Sequence, residues 1–470
     1  MPDLNLRDEY TGLDLGDRRL ERRALQISEA IGQHPGGGFP SVFETEASLE
    51  GFYRFVNNDS VSPDALTEPH SEQAFARAST RGGPVLVLQD TSEFVYGGES
   101  ERVGLARRGE RQSFHGHFAL GVSEGDAPVV YGVLGCRNYV VEDGTWREAV
   151  DGEGLVDLLV GSDRWSDLAS DIRLQAPAEM TLIHVMDREA DDYELWTYIV
   201  EQGDDFVIRA QHNRRLDDRA QRMFDALSDE PSVMQREVML SRRSKRRPPG
   251  SKRTHPPRQR RPAKLAFRHG QVEVKRPERV APFGQPIMTL SMVEVVETDP
   301  PDDATPIHWL LLSTLPVDTA KQAARIVDIY RKRWLIEEYF KALKTGCAAE
   351  KPQARSLSSL LNTIALLIPV AWRLLLLREL SRHDPRGPAT RVVDELELRV
   401  LRTMAKGVRL SRDPTCRQVM LAIARVGGHL KSNGEPGWLV LSRGMERLLD
   451  TSRGWRAAMI FVAEGGEIEI

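Results

Sequence analysis

The stretch YRKRWLIEEYFKALKTG, residues 330–346, sets acid and base side by side on one helical segment. A helix turns about 100° per residue, so residues three, four and seven apart share a face. Tyr330, Arg333, Glu337, Lys341 and Lys344 then fall within an arc of roughly 80°. Leu335, Ile336, Tyr339, Phe340 and Leu343 gather on the other side. The spacing predicts an amphipathic helix over about 320–345. Two readings of its polar face are open. Arg333, Glu337 and Lys341 are i,i+4 neighbours, and such pairs steady a solvated helix by about 0.2–0.5 kcal/mol each. Alternatively, Glu337 is a metal ligand ringed by cations that hold phosphates.

The rest of the chain weighs on that choice. At 470 residues it is too long for one ordinary core, so two to four domains or subdomains are expected. Cys136, Cys347 and Cys416 are widely separated, which suits neither a disulfide framework nor a zinc site and fits a reducing cytosol. The first residues lack the apolar core of a signal peptide. The most apolar run, Leu360–Leu377, contains Asn362, Pro369 and Arg373 and reads as a buried helix rather than a membrane span. The net charge of −5 does not announce a nucleic-acid binder. The distribution says more: the run from Arg242 to Lys264 is rich in Arg and Lys and has no acid, and DRRLERRALQ forms a smaller cluster near the N-terminus. A phosphate senses charge within about 8–10 Å at ordinary salt, so patches matter more than totals.

Residues 1–68 read as helical. PGGGFP breaks one helix, and TEASLEGFYRFV makes a second, stopped at Asn57-Asn58-Asp59. PVLVLQD is an apolar strand ending on Asp90, followed by strands in HFALGVSE and VVYGVLGCRNYVV. A helix is expected at about 153–172. MTLIHVMD is a strand ending on Asp187, then DDYELWTYIVEQ a helix and DDFVIRAQ a strand. Strands alternating with helices predict an α/β core with some parallel pairing. Residues of about 215–305 read as a β-rich insertion, IHWLLLST as a returning strand, and the chain after 355 as mostly helical.

Asp90 and Asp187 share one context, an acid just past a buried strand. Such an acid is often a cap or turn residue, yet strand ends in α/β sheets are also where sites gather. With Glu337 they make three carboxylates and no histidine, a set that suits Mg²⁺ or Mn²⁺. Two such ions activate a water or hydroxyl and stabilise the leaving oxygen of a phosphodiester.

The spaced set Tyr330, Arg333, Glu337 and Lys344 resembles the signature of insertion-sequence-four-type DDE transposases. VLQDTSEF, with Asp90, and DREADDYELW, with Asp187, resemble that family's first and second aspartate motifs. EGFYRF, FVIRAQH, HWLLLSTLPV and AIARVGGHL are similar in texture and order. The resemblance implies a ribonuclease-H-like catalytic core over 69–355 carrying the β-rich insertion. An N-terminal helical DNA-binding domain would span 1–68 and a C-terminal helical dimerisation region 356–470. It implies a bacterial, cytoplasmic cut-and-paste enzyme acting on double-stranded DNA, as a homodimer at synapsis and with no membrane partner. Water nicks the transposon end, the freed 3′-hydroxyl makes a hairpin, water reopens it, and the 3′-hydroxyl attacks target DNA. Asp90, Asp187 and Glu337 would hold two Mg²⁺ ions per site, with Mn²⁺ able to substitute. Tyr330, Arg333, Lys341 and Lys344 would grip phosphates, and Trp309 would stack on a flipped base. Arg188, Arg209, His212, Tyr53 and Arg54 are further candidate DNA contacts, and the basic run Arg242–Lys264 is either another or a disordered arm. GSDRW, Gly161–Trp165, departs from the family's Glu-Ser-x-Lys-Trp-like stretch: the glutamate is missing and Arg164 replaces lysine, leaving Arg164 a phosphate contact. Other readings are a silent DNA-binding relative that occupies transposon ends and a structure-selective nuclease; loss of an acid would mark the former, and all three are present.

Overall fold

The structure is a computed structural model that describes residues 6–43, 45–98, 101–150, 154–158, 161–216, 222–240, 258–278, 280, 284–302 and 304–464. In chain order, a 3-10 turn at Leu6–Tyr10 precedes helices α1 (Arg18–Gln33), α2 (Phe39–Val42), α3 (Glu46–Val56) and α4 (Pro63–Arg81). Strands β1 (Val85–Tyr96), β2 (Ala106–Arg108), β3 (Arg111–Ser123), β4 (Val130–Glu142), β5 (Thr145–Val150) and β6 (Gly154–Asp157) follow, then α5 (Asp163–Gln175). Next come β7 (Leu182–Met186), α6 (Tyr193–Glu201), β8 (Asp205–Arg209), β9 (Met234–Leu240), β10 (Arg261–Lys275), β11 (Ile287–Glu297), β12 (His308–Ser313) and α7 (Ala320–Lys332). The remainder is helical: α8 (Trp334–Lys341), α9 (Leu357–His383), α10 (Glu395–Met404), α11 (Cys416–Val426) and α12 (Trp438–Ala463). The chain divides into two compact units, one of residues 1–180 with 334–470 and one of residues 181–333.

In the first unit the strands lie in the order β6-β5-β4-β3-β1, with β2 beside β3, and every pair is antiparallel. Local chemistry sets the helix starts. Asp17 caps α1, Thr45 and Ser48 close a capping box on α3, and Ser62 caps α4 with Pro63 in its first turn. Helix α9 is long and apolar enough to cross a membrane, yet 94% of its most apolar window is buried. It packs on α4 and β4, and Trp372 Nε1 donates to the Val130 carbonyl at 3.1 Å. Asn362 donates to the carbonyls of Val56 and Val61, which ties α9 to the end of α3. A buried trio bolts the first turn to the sheet. Glu9 bonds His70 at 2.5 Å and Arg77 at 2.7 Å, His70 Nε2 accepts from the Val133 amide, and Arg77 lies 4.2 Å over the Trp372 ring.

The second unit carries the order β7-β8-β12-β11-β10-β9, with β7 and β8 parallel and the others antiparallel. Its helices α6 and α7 pack on this sheet.

Three expectations change. Strand β1 does not end on Asp90 but runs six residues further to Tyr96, because its polar residues still pair with β3 in unbroken register. The helix expected from 153 starts at Asp163; the preceding residues build β5 and β6 instead. The helix over 320–345 is not continuous. α7 ends at Lys332, α8 begins at Trp334, and Ala342–Gly346 form a π-helical turn. A π turn adds a residue to the winding, so Lys344 leaves the ideal arc shared with Glu337.

Candidate active site

Asp90 sits on β1, directly across from Phe118 of β3. Opposed residues in an antiparallel pair lie on the same face. Phe118 meets Phe340 edge-on at 5.6 Å and Tyr339 at 6.1 Å. Helix α8 therefore covers the sheet face that carries Asp90. Glu337 lies three residues before Phe340 on that helix and is half-exposed, whereas the adjacent Glu338 is buried. Glu338 pairs with Lys341 at 2.7 Å and Arg378 at 3.1 Å. Burial alone would raise its carboxyl pKa, but Lys341 and Arg378 outweigh it and hold the pKa down. The two neighbouring glutamates thus divide into one that anchors α8 and one left near solvent.

The reverse face of β1 is braced by a chain of hydrogen bonds. Arg164 Nε donates to Thr91 Oγ1 at 3.3 Å. Thr91 is 2.8 Å from His117 Nδ1, and His117 Nε2 is 3.2 Å from Gln89 Oε1. Because a carbonyl oxygen only accepts, Nε2 carries the proton and Nδ1 accepts from the threonine hydroxyl. Burial, then the nearby Arg164 and Arg137, hold His117 neutral, well below its ordinary value. Arg164 was expected at a phosphate. It is buried instead, its guanidinium 4.5 Å over the Trp146 ring and bonded to the Gly161 carbonyl. Its role here is to fix Thr91, next to Asp90.

Lys341 and Lys344 are also engaged within the protein. Lys341 lies 4.9 Å over the Trp334 ring. Lys344 donates to the Glu93 carbonyl, pairs with Glu350 at 3.4 Å and sits 4.6 Å over Phe94. Burial lowers its pKa, and Glu350 opposes that shift. Glu350 in turn accepts from the Val95 amide at 3.0 Å. This clamp holds the π turn along the outer half of β1.

In the second unit Asp187 follows β7. Its Oδ1 accepts from the Glu189 amide at 2.8 Å, so it caps the turn Arg188–Ala190. Arg209, at the end of β8, donates to the His308 carbonyl at 2.8 Å. Burial lowers its pKa, with Arg188 and Arg333 adding to that and Tyr330 and Asp187 opposing it. Tyr330 is raised by burial, while Arg333 and Arg209 pull it down and Arg333 bonds its hydroxyl. Trp309 meets Tyr330 edge-on at 5.5 Å. Tyr330, Arg333, Arg209, Arg188, Trp309 and Asp187 thus form one neighbourhood. Asp191 supports it. Its buried carboxylate takes the backbone amides of Gln211 and His212 at 2.5 and 2.7 Å and the Arg214 guanidinium at 2.6 Å. His212 itself is exposed.

The remaining expected contacts lie elsewhere. Tyr53 is half-exposed on α3, and Arg54 is exposed and paired with Glu50 at 2.5 Å. Residues 242–257 of the basic run lie outside the described residues. Of its end, Arg261 pairs with the buried Glu297, and Lys264 lies 4.0 Å from Asp299. Among the described residues, no three His, Cys, Asp or Glu side chains are gathered into a group that could hold a metal ion.

Sequence reasoning passed over His117, Thr91, Asp191 and Glu338. Position in the motifs was the available signal: Thr91 follows Asp90, Asp191 lies in DREADD, and Glu338 follows Glu337.

Residues 5–61 match the family model for transposase DNA-binding, and residues 163–371 match that for the transposase DDE domain. The chain therefore carries a transposase DNA-binding segment and a DDE domain, whose core is ribonuclease-H-like, and these support its assignment to the DDE transposases. The DDE match points to metal-dependent chemistry on DNA.

Proposed function

We propose that the chain is a cut-and-paste transposase of the insertion-sequence-four type. It would bind terminal inverted repeats through residues 1–68, cut at the transposon end through a hairpin, and join the 3′ ends to target DNA with the 69–355 domain. The observation that supports the reading is the neighbourhood of Asp187 with Tyr330, Arg209, Arg188 and Arg333: an acid among cations and a tyrosine, as a catalytic acid beside phosphate-binding groups would be.

Asp90, Asp187 and Glu337 would hold the ions. An all-carboxylate set without histidine fits Mg²⁺, with Mn²⁺ as a substitute, two per site. When bound, such ions supply an activated water or 3′-hydroxyl and charge stabilisation at the leaving oxygen. The other steps fall to side chains of this protein. Arginine forks match phosphate oxygens bidentately, which suits Arg209, Arg188 and Arg333. Tyr330 stays neutral; with Arg333 donating to its hydroxyl, its own proton is left to donate to a phosphate oxygen. Trp309 is the stacking surface for a flipped base. Lys341 and Lys344 would add positive potential for phosphates beside α8, and His212, Tyr53 and Arg54 would be outer DNA contacts.

A homodimer is supported by the end of α12, within the proposed 356–470 dimerisation region. Trp455, Met459, Ile460, Phe461 and Val462 are 39–54% exposed there, and exposed clusters of large apolar side chains are a feature of interaction surfaces. The proposed setting is the bacterial cytoplasm.

The test is cleavage of a labelled duplex carrying the host element's own end, with Mg²⁺, for wild type and Glu337→Ala, resolved on a denaturing gel. Hairpinned ends from wild type alone, with binding retained in the variant, support the reading. Sequence-specific binding without cleavage, under Mg²⁺ or Mn²⁺, replaces it with the silent end-occupying relative.

A further inference from the structure

Side chains alternate along a strand, so Gln89 and Thr91 share the face of β1 opposite Asp90. One imidazole holds both. His117 stands directly across from Thr91 on β3. Its Nδ1 is 2.8 Å from the Thr91 hydroxyl and its Nε2 is 3.2 Å from Gln89 Oε1. The residues on either side of Asp90 are thus stapled to the same ring. That ring is fully buried and meets Trp165 edge-on at 4.5 Å. Arg164 completes the set: Nε donates to Thr91 Oγ1 at 3.3 Å, and the guanidinium lies 4.5 Å over Trp146 and 5.4 Å over Trp165. A hydroxyl has one proton to give. Thr91 gives it to His117 and accepts from Arg164, so its side chain is fixed in direction from two sides.

The consequence reaches Asp90 through the main chain. The Thr91 amide donates to Asp90 Oδ1 at 2.8 Å. A residue clamped at its side chain aims its own amide, and that amide orients the carboxylate. Asp90 is half-buried, whereas Gln89, His117 and Arg164 lie buried behind it. Buried groups act on DNA only through what they hold.

We propose that Gln89, Thr91, His117 and Arg164 are positioning residues that set the affinity of the Asp90 carboxylate for its divalent ions. The proposal rests on the transposase reading in taking Asp90 as an ion ligand. It separates from a phosphate-contact role for Arg164 by what is lost: metal affinity rather than duplex affinity. Losing a partner that orients a ligating group typically costs roughly 10–100-fold in metal affinity or activity. The Thr91 hydroxyl acts one bond removed, through its amide, so the lower end, about tenfold, is expected.

The full chain bound to a duplex carrying the host element's end is titrated with Mn²⁺, followed by the electron paramagnetic resonance of the unbound ion. The same complexes are assayed for cleavage across a range of Mg²⁺ concentrations. Asp90→Asn identifies the Mn²⁺ uptake that belongs to this acid. Thr91→Val keeps the shape and the amide and removes the hydroxyl; Thr91→Ser returns it. Thr91→Val should weaken the Asp90-dependent Mn²⁺ uptake about tenfold and raise the Mg²⁺ needed for half-maximal cleavage alike. Duplex affinity and metal-free melting temperature should stay as in wild type, and Thr91→Ser should restore the metal response. If Thr91→Val fails to fold, a second pair decides. His117→Asn and His117→Gln lose the same ring, but only the asparagine oxygen stands where Nδ1 accepts from Thr91. His117→Asn should therefore hold Mn²⁺ more tightly than His117→Gln. Wild type that shows Asp90-dependent Mn²⁺ uptake without cleavage defeats the transposase reading, while the Thr91 and His117 comparisons still judge the clamp. Mn²⁺ uptake that is the same in wild type and Asp90→Asn, or the same in wild type and Thr91→Val, overturns the proposal. So does a Thr91→Val chain that loses duplex affinity with its metal response intact.

Discussion

Replacing Asp191 with alanine should loosen the strand end that carries Arg209. Four donors converge on this carboxylate: the amides of Gln211 and His212 and the Nε and Nη2 of Arg214, at 2.5–3.2 Å. The pair is buried, with side-chain exposures of 9% for Arg214 and 0% for Asp191, and the guanidinium lies 4.6 Å over Trp196. Breaking a buried pair from one side costs about 3–5 kcal/mol, since the remaining charge is stranded. An independent count agrees: two amide bonds to a charged acceptor, at about 1.5–3 kcal/mol each, come to roughly 3–6 kcal/mol. A multi-unit chain does not justify a single unfolding free energy, so the readout is local hydrogen exchange over residues 205–214. The Gln211 and His212 amides should exchange roughly 10²–10⁴-fold faster in Asp191→Ala, by the rule of about 1.4 kcal/mol per factor of ten. The double variant Asp191→Leu with Arg214→Met should recover much of that protection, because removing both charges leaves neither stranded. An acceleration of less than about tenfold would mean that the pair is worth no more than an exposed one, and the support assigned to Asp191 would be wrong.

Other expectations are as direct. Burial holds His70 below its ordinary value of 6.5, so the folded chain keeps it neutral while the unfolded chain protonates it. That contribution to stability is present above pH 6.5 and is lost as pH falls below it. Glu9 acts in the same sense at lower pH: burial raises its pKa, His70 and Arg77 outweigh that, and the lowered value makes its contribution fade as pH drops through 4.5 and below. Melting temperature should therefore decline from pH 7 to 5, and less steeply in His70→Gln; parallel curves would exclude a contribution from His70. Burial raises the thiol pKa of Cys136 to about 12 and also raises Cys347 and Cys416, so a disulfide exchange reagent at pH 8 should label the native chain slowly and all three thiols after denaturation. Phe52→Ala should cost about 3–5 kcal/mol, as its buried ring packs on Phe39 and Phe43. Arg54→Ala should cost about 0.3–0.5 kcal/mol, since it breaks only an exposed i,i+4 pair; thermal melts compare the two.

The parts of this molecule legible from sequence are those governed by local chemistry. Asp17, Thr45, Ser62 and Ser356 cap the helices they precede, so the helix starts follow from residue type. The apolar side of 335–343 is buried as its periodicity requires. The failures are long-range. Arg164 looks like a surface cation until the fold brings Trp146 beneath it. Lys344 looks like a phosphate contact, yet it donates to the carbonyl of Glu93, 251 residues away along the chain. The interruption at Arg333 has no Gly or Pro to announce it. The continuation of β1 past Asp90 depends on pairing with β3, which no local pattern of TSEFVY discloses. Asp191 and Glu338 are hidden by more conspicuous acids beside them, and only burial separates the anchoring carboxylate from the exposed one.

The most direct measurement is Mg²⁺-dependent cleavage of the host element's end by Asp90→Asn, Asp187→Asn and Glu337→Gln, each a near-isosteric loss of one charge. If these three carboxylates are the catalytic set, each variant should bind the end as wild type does, keep its melting temperature, and lose cleavage by orders of magnitude. A variant that cleaves at the wild-type rate would remove that residue from the catalytic set and contradict the assignment.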